Sequence, residues 1–137
     1  PRFEGYLSVL AEAGLAYDPR LVVLTHFDTA SAEAAVLSLL NKGIAIDGLF
    51  AASDIIAFGA IRGLIRAGLR VPQDVSVVGY DNIQLASYSH PTLTTISQDM
   101  ARAGKLMVSK LIGSISNDES HSEIVSTELV VRESCGG

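Results

Sequence analysis

Hydrophobic residues along this chain switch repeatedly between two spacings. From Arg2 to Ala13, Phe3, Tyr6, Leu7, Leu10 and Ala11 fall at i, i+3, i+4, i+7 and i+8. That places them on one helix face, and Gly14 supplies a stop. Leu21, Val22, Val23 and Leu24 then form a short unbroken apolar run. Helical spacing returns between Ser31 and Asn41 through Ala32, Ala35, Val36, Leu39 and Leu40. Gly48 to Ala52 is a second apolar run, and Asp54 is expected to cap a helix reaching about Ala67, with Gly68 at its end. Val71-Pro72 breaks the pattern before a third run, Val75 to Val78. Runs that are apolar throughout, rather than at every second residue, are what strands buried on both faces need. Helical crossovers make such strands parallel. The run starts, near 21, 48 and 75, are about 27 residues apart with no similarity of sequence. This reads as repeated βα units. The predicted fold class is α/β, a parallel sheet flanked by helices.

Beyond Gly79 the pattern changes. Residues 80–93 are polar and broken by Pro91, so they predict a loop or a short irregular helix. Leu93 to Ile96 is β-prone. A helix is predicted from Gln98 to Gly113, with Met100, Met107, Val108, Leu111 and Ile112 toward a core. Residues 114–123 predict a solvated loop, Ile124 to Arg132 a final strand, and Glu133 to Gly137 a tail.

Composition narrows the function classes. Apolar residues make up 48%, enough to build a core. No apolar run is long enough for a membrane-spanning helix. Fifteen acidic against ten basic residues give a net charge of −5, which repels phosphate backbones and disfavours nucleic-acid contact by this segment. The single cysteine, Cys135, cannot form an internal disulfide. The chain opens on Pro1 without a signal peptide, and the expectation is a piece of a longer protein.

In an open parallel sheet, ligands bind beyond the carboxyl ends of the strands. Thr25, His26, Phe27 and Asp28 follow the first run, Ser53 and Asp54 the second, and Tyr80, Asp81 and Asn82 the third. Arg2 opens the first helix and reaches the same edge if a strand precedes it. A cation, an aromatic, carboxylates and hydroxyls together suit a small polar ligand. A carboxylate accepts hydroxyl bonds, arginine donates in a planar fork, and an aromatic face stacks on a ring. Each residue also has a plainer role. Asp54 is read chiefly as a helix cap, Ser53 as a turn residue, Phe27 as core, and Asp81 as a cap for the 82–90 stretch. Arg2 reads as a surface charge, although a cation there opposes the helix dipole.

Signals for catalysis are weak. His26, His90 and His121 lack metal-ligand spacing, and no nucleophile elbow, dinucleotide fingerprint or P-loop occurs. No enzymatic activity, cofactor or metal is expected. Gly59, Gly63 and Gly68 suggest close helix packing instead.

Four stretches carry a family resemblance. They are Phe50-Ala-Ala-Ser-Asp54-Ile-Ile-Ala-Phe-Gly59-Ala, Gly68-Leu-Arg-Val-Pro72-Gln-Asp-Val-Ser-Val-Val-Gly-Tyr-Asp81-Asn, Pro91-Thr-Leu-Thr-Thr-Ile-Ser-Gln98 with Gly104 after it, and Glu128-Leu-Val-Val-Arg132-Glu-Ser. In order and spacing, and with the opening Arg2-Phe-Glu-Gly-Tyr6, nearly the whole chain resembles the LacI/GalR family of bacterial transcription regulators. The resemblance implies the periplasmic-binding-protein-like type I fold, here partial and mainly its C-terminal lobe. Residues 1–97 would form that lobe without its first strand, 98–117 a helix of the N-terminal lobe, and 118–137 a loop and a strand returning to the C-terminal lobe.

The resemblance also implies function. A small-molecule effector, a sugar or nucleoside-like compound, would sit between the lobes and alter operator binding by a headpiece outside this segment. Asp81 matches the effector-binding aspartate, Phe27 the stacking aromatic, and Arg2 the arginine that reaches polar groups of the effector. Ser53 stands where many members carry a ligand-contacting asparagine, and Thr25-His26 stand where they carry Gly-Asp. The implied protein is a cytoplasmic homodimeric repressor without membrane contact. A periplasmic sugar-binding protein of a transporter, which shares the fold, is the alternative, and a hydrolase or transferase of α/β type is a third reading. The predicted 98–113 helix, deprived of its own sheet, would seek cover through dimerisation or rearranged packing.

Overall fold

A computed structural model describes residues 2–115 and 122–137. Four helices, α1 (Arg2–Glu12), α2 (Thr29–Asn41), α3 (Asp54–Arg66) and α4 (Met100–Ile115), accompany four strands, β1 (Gly48–Phe50), β2 (Ser76–Tyr80), β3 (Thr94–Gln98) and β4 (Thr127–Val130). The strands lie in the order β1-β2-β3-β4. The first two pairings are parallel, with Phe50 opposite Val78 and Val78 opposite Thr94. The last is antiparallel, with Ile96 opposite Leu129. The expected parallel sheet is therefore present, extended by one reversed strand into a mixed sheet.

The core lies between α3 and the sheet, where Ala57, Ile61 and Leu64 meet Val75, Val77 and Leu93. Burying one such aliphatic side chain stabilises the fold by about 1.5–3 kcal/mol. Helix α2 packs on α3 through its buried Ala32 and Val36. The approach is close because Gly59 and Gly63 present no side chain. A Cβ on Gly59 would collide with the Thr29 backbone and the Ala32 side chain, and one on Gly63 would crowd Glu33 and Val36. Glu33 is buried beside this contact and pairs with Arg62 (3.1 Å) and Arg66 (2.9 Å).

Several expectations are corrected. Leu21 to Leu24 form no strand. Pro19–Leu21 is a short 3-10 turn, residues 22–26 have no regular structure, and Leu24 is 95% exposed. An apolar run becomes a strand only when a neighbouring edge satisfies its backbone, and among the described residues no strand of the sheet pairs with this one. Met100, Met107, Val108, Leu111 and Ile112 do not face a core. α4 has no buried residue, and all five of these side chains are exposed. The helix also starts later than expected, because Gln98 ends β3. Residues 133–137 are not a loose tail. Ser134 is buried, donates to the Val77 carbonyl (2.6 Å) and accepts from the Thr94 amide (2.8 Å). The 82–90 stretch is indeed a loop with a short helix, a 3-10 turn at Gln84–Ser87. Most of the expected 114–123 loop, and the end of the 98–117 segment, lie outside the described residues.

Candidate functional site

The parallel strands end together, and the residues beyond them define one edge. Ala51 to Ser53 come after β1, Tyr80 ends β2 with Asp81 and Asn82 behind it, and Gln98 ends β3. Arg2, at the start of α1, lies across this edge. Its guanidinium donates to the Ala52 carbonyl (3.2 Å) and stands over the Tyr80 ring, 3.8 Å from the centroid. A cation on an aromatic face is attracted by the ring quadrupole, which answers why arginine tolerates a helix start.

Asp81 is half-buried beside it. Burial pushes its carboxyl above the usual carboxylate range. The Arg2 charge opposes that shift, the Asp54 charge adds to it, and a hydrogen bond from Gln98 opposes it again. The Gln98 amide donates to Oδ1 of Asp81 at 3.2 Å. The site thus pairs an acceptor, Asp81, with two donor side chains, Arg2 and Gln98. Such a set matches vicinal hydroxyls and ring oxygens of a sugar or a comparable polar molecule.

Phe27 is 67% exposed, at the entry to α2, so the core role is overturned. The reason is local. Asp28 caps α2 by accepting from the Ser31 amide (2.7 Å), and residues 26–30 around this cap are exposed. Ser53 has no exposed surface, and its hydroxyl accepts from the Ile56 amide (3.3 Å). The N-cap of α3 is therefore Ser53, not Asp54. Asp54 is fully buried. It accepts from the Ile83 amide (2.8 Å) and from the Thr95 hydroxyl (2.5 Å).

Gln98, Thr95 and Arg132 join the site without having been expected there. Helical spacing claims Gln98 for α4, although the end of a β-prone run is itself a sheet-edge position. Arg132 donates to the Asn82 side chain (2.9 Å) and to the Leu93 carbonyl (2.7 Å) across the fold, contacts no local pattern announces. Among the described residues no group of three or more His, Cys, Asp or Glu could hold a metal, and no helix is long and apolar enough to cross a membrane.

Comparison with known proteins agrees with this architecture. A family model described as a periplasmic binding protein-like domain matches residues 1–135. The ribose operon repressor of Haemophilus influenzae is 40% identical over 135 residues, 97% of this chain and 41% of its own length. The regulator CelR, solved as a cellobiose complex, superposes with a TM-score of 0.90 at 37% identity over 97% of this chain and 41% of that one. A lac repressor dimer bound to operator superposes at 0.87 with 28% identity, over 98% of this chain and 40% of that one. The chain thus spans about two fifths of the length of these relatives, which are transcriptional regulators. The chain belongs to the periplasmic binding protein-like domain family and matches the effector-binding domain of LacI-type transcriptional regulators.

Proposed function

We propose that this chain senses a sugar, or a related small polar effector, for a LacI/GalR-type repressor. The observation that supports it most is the gathering of Arg2, Asp81 and Gln98 on the edge where α/β sheets bind ligands. Asp81 accepts hydroxyl bonds from the effector, and Arg2 donates to its polar groups. The exposed Phe27 ring offers a stacking face. Ser53 serves as the cap that fixes the start of α3 beside the site. Nothing in this role is catalytic and nothing in it uses a cofactor.

The lobe assignment belongs to the same proposal. Residues 1–97 form most of one lobe, 98–117 a helix of the other, and 118–137 a loop and a returning strand. The return of β4 to the side of β3 supports this division, as does the lack of any buried residue in α4. Operator contact, homodimerisation and a cytoplasmic setting are proposed for the whole protein by its likeness to regulators, one of them solved as a dimer on operator. DNA contact would fall to a segment outside this chain, whose charge is −5.

Thermal-shift screening of the protein that contains this chain tests the effector class. Ribose, cellobiose, purine bases and nucleosides form the panel. A bound ligand at about 100 times its dissociation constant stabilises by about 2.7 kcal/mol, a readable rise in Tm. A rise with a sugar is expected. A rise with purine bases alone would move the reading to another effector class, and no rise across the panel would contradict it.

A further inference from the structure

Asp81 and Asn82 form a turn with unusual backbone geometry. Both have positive φ, 112° and 51°, and neither is glycine. Two successive side-chain-bearing residues hold that conformation only where the surroundings enforce it. The enforcing contacts come from beneath the site. Gly79 and Thr95 are direct partners across β2 and β3. Because Gly79 has no side chain, the Asp54 carboxylate occupies the space over it, and a Cβ there would collide with Oδ1 of Asp54. The Asp81 amide is held by the Ile96 carbonyl (2.9 Å), and Asp54 secures the other end of the turn. One oxygen accepts from the Ile83 amide, and the other accepts from the Thr95 hydroxyl, which in turn accepts from the Asn82 amide (3.3 Å).

Helix capping does not account for Asp54. Ser53 already caps α3, and the Asp54 carboxylate is turned toward a different element, fully buried. A buried carboxylate persists where hydrogen bonds reward its placement. Here both of its oxygens are spent on the segment that carries Asp81 and on the strand beside it.

We propose that Asp54 is a positioning residue for effector binding. Through Thr95 and the Ile83 amide it holds the Asp81-Asn82 turn, so that the Asp81 carboxylate stays between Arg2 and Gln98. The inference rests on the reading of Asp81 as the effector acceptor, but its geometric part is testable without any ligand.

The test is heteronuclear NMR on the protein that contains this chain and on three variants, Thr95→Val, Thr95→Ser and Asp54→Asn. Thr95→Val keeps the shape and removes the hydroxyl. It is expected to speed hydrogen exchange of the Asn82 and Ile83 amides at least tenfold and to move the titration midpoint of the Asp81 carboxyl. Exchange at Val77 in the core should stay within about twofold. Thr95→Ser restores the hydroxyl and should restore both signals. Asp54→Asn should reproduce the Thr95→Val pattern, and it decides the question if Thr95→Val does not fold. A folded Thr95→Val or Asp54→Asn chain with unchanged Asn82 and Ile83 exchange and an unchanged Asp81 midpoint would overturn the proposal. Failure of the underlying reading looks different: Asp81→Ala would leave effector affinity intact whatever the turn does.

Discussion

Helices α3 and α4 are similar in pattern and opposite in fate. α3 buries seven of its thirteen residues, Asp54, Ala57, Gly59, Ala60, Ile61, Gly63 and Leu64. α4 is longer, sixteen residues, carries an apolar stripe as well, and buries none of them. The difference lies in the partner. α3 is flanked by the sheet on one side and α2 on the other, with glycines where α2 comes nearest. α4 leaves β3 and meets no comparable surface among the described residues. Amphipathic spacing therefore encodes a face that asks for cover, while the rest of the fold decides whether cover exists.

That contrast can be broken most forcefully in the cores of the two helices. Leu64 is fully buried, so Leu64→Ala should cost about 2–5 kcal/mol in chemical denaturation. Leu111, 63% exposed in the single chain, should cost within about 0.5 kcal/mol on the same replacement at dilutions where the chain is monomeric. Equal costs at such dilution would mean that α4 is covered within one chain. The natural cover is a second copy. Light scattering should therefore show self-association, and Met107→Glu with Leu111→Glu should return the chain to a monomer. A monomer with α4 docked on its own sheet would contradict this.

A smaller effect separates two carboxylates on opposite sides of the comparison between surface and site. Hydrogen bonds from Arg70 hold the Asp74 carboxyl at about 2, below its ordinary 3.8. Its contribution to stability is complete above that ordinary value and is lost as pH falls toward 2. Asp81 is shifted the other way, by burial. The folded chain keeps its proton longer than the unfolded chain, so its ionisation weighs against the fold as pH rises from 3.8 through its folded midpoint. Carboxyl-detected NMR titration should show Asp74 titrating well below Asp81, and the reverse order would contradict the site geometry.

Much of the fold is legible in the residues, for physical reasons that also mark where legibility ends. Apolar runs and helical spacing are local, so β1, β2, α2 and α3 stand where the pattern puts them. The rule that ligands bind beyond strand ends brings Arg2 and Asp81 to one edge on sequence alone. Leu21 to Leu24 reads as an apolar run much like Val75 to Val78, yet only the latter leads into a strand, β2, that lies between two others, and no local pattern reports a missing neighbour. Ser53 and Asp54 are hard to tell apart because both suit an N-cap. Residues some 30 and 40 positions away, Ile83 and Thr95, decide between them by engaging Asp54 and leaving the cap to Ser53. Ser134 has the local pattern of a tail, and its burial depends on Val77 and Thr94, in two strands distant in sequence.

The central claim is that one carboxylate, Asp81, carries effector recognition at the strand edge. Calorimetry tests it most directly, on the protein that contains this chain, with the sugar that gives the largest thermal shift. Asp81→Ala should weaken binding about 10- to 100-fold, the loss expected when a charge-assisted hydrogen bond of about 1.5–3 kcal/mol is removed. Unchanged affinity in a folded Asp81→Ala protein would contradict the account.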